Sequence, residues 1–322
     1  MHTSNLTQVG AMLGPLLAGV RDIPTLITFA LWGFLYHAWG FTENNIQDYE
    51  YDLKDPAKQH FALIKGEIPL STAKNVNHIL FVLTLFGGVM LTNLKESILV
   101  IGPHWIPLIF LFMSMSTGML YNRLCKKSLT APLFIAIAFT SVPLFTYFCR
   151  AQELNLPIIL VSIYTIFLML FQIAFEGYLK DLESDPVNLL RAWGAKIVID
   201  ESPKLNIGRQ AYFWGTLKIV NMMIGLILLL LIDTSAYAEV LFFFMWMGTL
   251  IVFYKLVDIK YDNKKVTSNA ARMEILTYFA LILALQGILD WTITITLVIY
   301  PIVWFVVFNR LTWGSRFLNP KV

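Results

Sequence analysis

The sequence predicts an all-α polytopic membrane protein, a bundle of nine to ten transmembrane helices with a cytoplasmic cap over a central cavity. Three observations predict it. Of 322 residues, 57% are hydrophobic and only 14% charged, against about a quarter charged in a soluble domain. The apolar residues come in blocks of about 15–22, the length that spans a bilayer. The basic residues fall almost entirely on alternate sides of those blocks. Continuous apolar runs, rather than alternating ones, exclude a membrane β-barrel.

Taken in order, the apolar runs are approximately Leu6–Val20, Ile23–Gly40, Val76–Asn93, Ile98–Leu120, Thr130–Phe148, Pro157–Tyr178, Ala211–Ile232, Ala236–Val257, Met273–Leu289 and Trp291–Phe308. Gly14-Pro15 interrupts the first, and no basic stretch precedes it, so it reads as a retained helix rather than a cleaved signal. Only Asp290 separates the last two, which form either a tight hairpin or one broken element.

Charge sets the orientation. Arg21, Lys95 and Arg150 are the only basic residues on one side. The other side holds the rest, including Lys54–Lys74, Arg123, Lys126 and Lys127, and the group from Lys180 through Arg209 to Lys218. The richer side is cytoplasmic by the positive-inside rule. Because those cations lie between spans, the formal net charge of +3 carries no signal for nucleic acid. Residues 1–322 read as a single domain. Cys125 and Cys149 flank one span at opposite ends, which argues against a disulfide.

Two acidic motifs close apolar runs on the cytoplasmic side. Asn44, Asp48 and Asp52 are spaced by four, so on a helix they drift by about 80° and share a face. Tyr178, Lys180, Asp181 and Asp185 end the sixth run, again with aspartates four apart. Stacked carboxylates repel one another unless a cation joins them. Oxygen ligands at a wet helix end suit Mg2+, which prefers one or two carboxylates plus phosphate oxygens. Either motif alone also fits a solvated helix terminus. Together they fit two Mg2+ ions clamping a diphosphate. Lys180, Tyr121, Arg123, Lys126 and Lys127 are the candidate diphosphate ligands. The Arg123–Lys127 cluster fits a topology anchor equally well.

A diphosphate at a membrane surface above an apolar cavity points to a prenyl diphosphate. Departure of its diphosphate leaves an allylic cation that aromatic faces can stabilise. Phe171, Phe175 and Tyr178 form one helical stripe that serves either that purpose or plain packing. His37, Asn44, Asn45 and Gln47 are candidates for orienting an acceptor, although His37 fits an internally bonded histidine as well. Glu176 precedes Lys180 by four, a favourable helical pair. His104 has no identifiable partner.

These motifs resemble those of the UbiA-type intramembrane prenyltransferase superfamily over about residues 20–290. Asn44, Asp48 and Asp52 match its first aspartate signature. Tyr178, Lys180, Asp181 and Asp185 match its second, and Tyr121 with Lys126 match its Tyr-x-x-x-x-Lys element. Lys65-Gly66-Glu67-Ile68 is similar to its Ser-Gly-x-Ile stretch. The chain departs from the pattern at Asn45, at His60-Phe61 and at Pro186-Val187-Asn188.

The resemblance implies a Mg2+-dependent membrane enzyme. It would move a prenyl group from an allylic prenyl diphosphate to an aromatic or lipid acceptor, with membrane lipids around it and no nucleic-acid partner. Asn44, Asp48, Asp52, Asp181 and Asp185 would be its catalytic, metal-holding residues. A terpene cyclase on the same scaffold is the alternative. A cation transporter would place carboxylates near the bilayer midplane rather than at span ends.

Overall fold

The computed structural model describes residues 4–55, 58–59, 61–93, 105–183, 185–199, 203–257 and 263–313. The helices are α1 (Ser4–Leu17), α2 (Ile23–Asp52), α3 (Leu70–Asn93), α4 (Trp105–Leu124), α5 (Ala131–Phe148), α6 (Leu156–Phe171), α7 (Tyr178–Lys180), α8 (Leu189–Ala192), α9 (Gln210–Leu231), α10 (Ala236–Val257), α11 (Asn263–Ala284) and α12 (Gln286–Trp313). A π-helical turn, Gln172–Gly177, joins α6 to α7, and strands β1 (Lys196–Ile199) and β2 (Pro203–Asn206) form an antiparallel hairpin.

Helices cover the ten apolar runs wherever these are described. Among the described residues seven stretches are long and apolar enough to cross a membrane: Leu70–Thr92, Trp105–Leu124, Ala131–Phe148, Leu156–Lys180, Gln210–Leu231, Ala236–Val257 and Gln286–Trp304. Large apolar side chains point outward from them, among them Ile79, Leu230 and Phe244, exposed by 60%, 75% and 66%. Such faces need lipid rather than water around them. The chain is a multi-pass integral membrane protein with an all-α fold. The start of the fourth run, Lys95, His60 and His104 lie outside the described residues.

The last two runs meet as one broken element: the helix is interrupted at Asp290, whose φ is 58° and ψ 168°, and a further short break at Leu285 separates α11 from α12. Asp290 Oδ1 accepts a hydrogen bond from Ile293 N at 2.9 Å and so caps the restarted helix.

The residues group into two compact units. The first comprises residues 1–123, 138–158 and 295–322. Asp22 caps α2 by accepting from Thr25 N at 3.0 Å, with Pro24 in the first turn. Arg21 donates to the carbonyls of Leu16 and Val20 at 2.7 and 2.8 Å, which satisfies orphan acceptors at the end of α1. A Cβ at Gly14 would lie 2.2 Å from Thr146 Oγ1 and 2.4 Å from the Pro143 carbonyl oxygen. Only glycine lets α1 approach α5 that closely.

Phe29, Trp32, Tyr36 and Trp39 make the buried stripe of α2, against Leu91, Leu111, Met115 and Phe145. Their polar atoms are satisfied across helices. Trp32 Nε1 donates to the Thr84 carbonyl at 2.9 Å, and Tyr36 Oη is hydrogen-bonded to Ser114 Oγ at 2.7 Å. These bonds fix the rotation of the long α2 helix and therefore the direction its acidic end faces.

The second unit comprises residues 124–137 and 159–294. Tyr164 of α6 donates to the Thr277 carbonyl at 2.6 Å, and Asn221 of α9 donates to the Tyr164 carbonyl at 2.8 Å. Three helices are thereby tied through otherwise apolar surfaces. Cys125 in this unit and Cys149 in the first are buried and form no disulfide with each other.

Candidate active site

The first aspartate motif lies in the first unit. Asn44, Asp48 and Asp52 share one face of α2, as their spacing requires. Asn44 Nδ2 donates to Asp48 Oδ2 at 3.0 Å. Asp48 and Asp52 are only 5% and 7% exposed, so these are buried carboxylates and not a solvated terminus. Asp52 is answered by Lys58, whose Nζ lies 2.7 Å from its Oδ1. Lys58 carries no helical-spacing signal, since it follows the end of α2. Its role becomes visible only when the chain folds back on Asp52.

Three of the four polar residues expected to orient an acceptor, His37, Asn44 and Gln47, are engaged within the chain. Thr7 Oγ1 and His37 Nδ1 are 2.9 Å apart, which identifies His37 as an internally bonded histidine. Gln47 donates to Glu43 Oε1 at 2.9 Å, Asn77 of α3 donates to Glu43 Oε2 at 2.6 Å, and Asn45 is exposed. At the end of α4, Tyr121 is half-buried and Arg123 exposed. Between them Asn122 donates to the Gly40 carbonyl at 3.0 Å and pins this end of α4 to α2.

The second aspartate motif lies in the second unit. Tyr178 is buried, α7 ends at Lys180, and Lys180 is exposed. Asp181 leaves the helix at φ −104° and ψ 31°. Asp181 and Asp185 therefore lie on a turn, closed by Asp185 N donating to the Asp181 carbonyl at 3.1 Å, and not on a continuing helix. Lys126 forms a short, largely buried ion pair with Asp185.

The segment that departs from the family pattern builds this turn. Asn188 Nδ2 donates to the carbonyls of Tyr178 and Asp181 at 2.7 and 3.2 Å, and its Oδ1 caps α8 through Arg191 N at 3.1 Å. Arg191 donates to the carbonyls of Leu182, Asp185 and Pro186 at 3.2, 2.7 and 2.9 Å. Asn188 and Arg191 carry no side-chain chemistry that the sequence flags. Their work is to satisfy the backbone of a turn.

Two expectations change in this unit, and the aromatic stripe takes the packing role that is one of its two readings. Glu176 does not pair with Lys180. It is buried, with Lys218 and Glu274 as its charged neighbours, while Lys180 faces outward. Lys218, grouped by sequence with the basic loop, lies inside α9 at 1% exposure. Phe171 and Phe175 are fully buried in a core with Trp214 and Phe253, so their role is packing.

Among the described residues no group of three or more His, Cys, Asp or Glu side chains gathers into a metal cage. Each motif offers paired carboxylates, with an asparagine oxygen beside the first. That donor set fits Mg2+, which takes few protein oxygens and completes its shell with phosphate and water.

Comparison with known proteins gives the family and the fold. A family model described as the UbiA prenyltransferase family matches residues 9–265. A solved structure described as digeranylgeranylglyceryl phosphate synthase aligns at TM-score 0.61 and 17% identity, covering 89% of this chain and 93% of that one. A UbiA homolog from Archaeoglobus fulgidus, bound to GPP and Mg2+, aligns at 0.57 and 13% identity, covering 87% and 99%. The apo UbiA homolog from Aeropyrum pernix K1 aligns at 0.60 and 13% identity, covering 89% and 95%. No curated protein sequence matches the chain. With the model spanning most of the chain and both aspartate motifs inside the matched region, the protein belongs to the UbiA prenyltransferase family, a family of transferases.

Proposed function

We propose that the protein transfers a prenyl group from an allylic prenyl diphosphate to an aromatic or lipid acceptor, with Mg2+ as cofactor and the reaction on the cytoplasmic side. One observation carries this reading. In each unit a buried aspartate of the motif is paired with a lysine, Asp52 with Lys58 and Asp185 with Lys126. Each motif therefore combines the charge that holds Mg2+ with the charge that holds phosphate. The A. fulgidus homolog, bound to GPP and Mg2+, supports the same ligand classes.

Asp48 and Asp52 with Asn44, and Asp181 with Asp185, hold Mg2+, one ion for each motif. Bound Mg2+ neutralises phosphate oxygens and eases departure of the diphosphate. The chain's own cations complete the grip. Lys126 turns from Asp185 toward the phosphates, Lys180 and Arg123 lie exposed for the same purpose, and Tyr121 and Tyr178 supply hydroxyl donors. The allylic C–O bond breaks with its electron pair on the leaving diphosphate. An electron pair of the acceptor then forms the new bond to the allylic carbon, and the acceptor gives up a proton.

The test is Mg2+-dependent release of diphosphate by purified protein. Asp48→Asn and Asp181→Asn preserve shape and remove charge. Each should slow release by roughly 10²–10³-fold, the scale of one lost electrostatic contact of about 3–4 kcal/mol. Wild-type rates in both variants would refute the assignment.

A further inference from the structure

The second motif is reached through an irregular helix. α6 widens into the π-turn Gln172–Gly177, and only then come Tyr178, Lys180 and Asp181. An α-helix rotates by about 100° per residue, and a π-turn takes up an additional residue by closing i→i+5 bonds. Everything after the turn is thus rotated by about 100° from where a regular helix would aim it. The direction in which Asp181 departs depends on the turn being kept.

The turn also brings polar groups into an apolar interior. Glu176 is 5% exposed. Gln172 lies beside the Glu274 carboxyl of α11. Lys218 of α9, 1% exposed, is within electrostatic range of both Glu176 and Glu274. Its Nζ sits 4.6 Å from the centre of the Phe171 ring, at the last residue before the turn, and has no hydrogen-bond partner among the described residues. One turn earlier on α9, Trp214 lies against Phe175, with ring centres 5.5 Å apart. α9 therefore grips the π-turn at Phe171, Phe175 and Glu176, and α11 grips it at Gln172. Ionisable groups buried in a membrane span are costly and rarely kept without a task.

We infer that Lys218, together with Glu176 and Glu274, is a positioning centre that holds the π-turn and through it aims Asp181 and Asp185. This rests on the Mg2+–prenyl diphosphate reading of the second motif. If Lys218 is lost, the turn can relax toward a regular helix, and the aspartates lose their setting with no change in their own identity.

The experiment compares wild type with Lys218→Met, Lys218→Arg, Glu176→Gln and Glu274→Gln, all as full chains in nanodiscs. Two quantities are read: the affinity for farnesyl thiodiphosphate with its Mg2+ requirement, and hydrogen–deuterium exchange along residues 178–188. Lys218→Met and Glu176→Gln should weaken Mg2+-dependent binding by about 10–100-fold, the usual effect of removing a group that orients metal ligands. Exchange at 178–188 should rise selectively, and Lys218→Arg should recover most of the affinity. Glu274→Gln, which keeps the hydrogen-bonding shape, gives a smaller loss in the same direction and serves if Lys218→Met does not fold. Unchanged affinity and exchange in variants of a binding-competent wild type would overturn the positioning role alone. So would uniform loosening of the unit with unchanged probe affinity. A wild type that binds no probe with Mg2+ would remove the ligand reading itself, and the positioning role with it.

Discussion

At the scale of single residues, the site is a matter of which carboxylates are buried and what answers them. Asp48 is oriented by Asn44, Asp52 is paired with Lys58, and Asp185 with Lys126. The sequence shows the aspartates because spacing by four is a visible pattern. It shows Lys126 as one of several cations in a basic loop, and it does not single out Lys58, because that ion pair exists only after the helix end turns back. Lys126→Met tests the importance of the second pair. It removes a charge-assisted hydrogen bond worth about 1.5–3 kcal/mol, so the KM for prenyl diphosphate should rise by roughly 10–100-fold. An unchanged KM would leave Lys126 as a topology anchor only.

At the scale of elements, the apolar runs translate directly into helices because length and hydropathy decide them. What the sequence does not show are most of the interruptions. The π-turn at Gln172–Gly177 and the hairpin of β1 and β2 are set by tertiary contacts that short-range periodicity does not carry, whereas the kink falls at Asp290, where a single charge already divides the last apolar runs. The turn from Asp181 to Asn188 belongs with the π-turn and the hairpin. It is held by Asn188 and Arg191, which donate to five carbonyls around it. Asn188→Ala removes two of those bonds and the cap of α8. It should destabilise this segment by about 1–2 kcal/mol. Proteolytic nicking between Asp181 and Arg191 in purified protein should accelerate accordingly. Cleavage at the wild-type rate would show that the turn stands without Asn188.

At the scale of the whole molecule, the fold is that of the UbiA family, and its membrane character follows from seven long apolar stretches with outward-facing side chains. Membrane sidedness follows from charge. Single cysteines placed in the Lys54–Lys74 and Asp181–Arg209 segments should label from the same face of oriented vesicles, and one near Lys95 from the opposite face. Labelling of all three from one face would contradict the predicted orientation. The division into two units is not visible in the sequence, since each is assembled from separate stretches of chain. The nature of the acceptor is equally hidden. Of the four polar residues the sequence offers to orient it, His37, Asn44 and Gln47 hydrogen-bond Thr7, Asp48 and Glu43 instead.

The central claim is transfer of a prenyl group to a separate acceptor, and product analysis tests it most directly. Purified protein is given Mg2+ and geranylgeranyl diphosphate, with and without a membrane lipid and quinone-precursor extract. Transfer predicts slow diphosphate release alone, faster release with the extract, and a product heavier than an extract component by one prenyl group. Rapid formation of a cyclic hydrocarbon without the extract would contradict it and make the protein a cyclase.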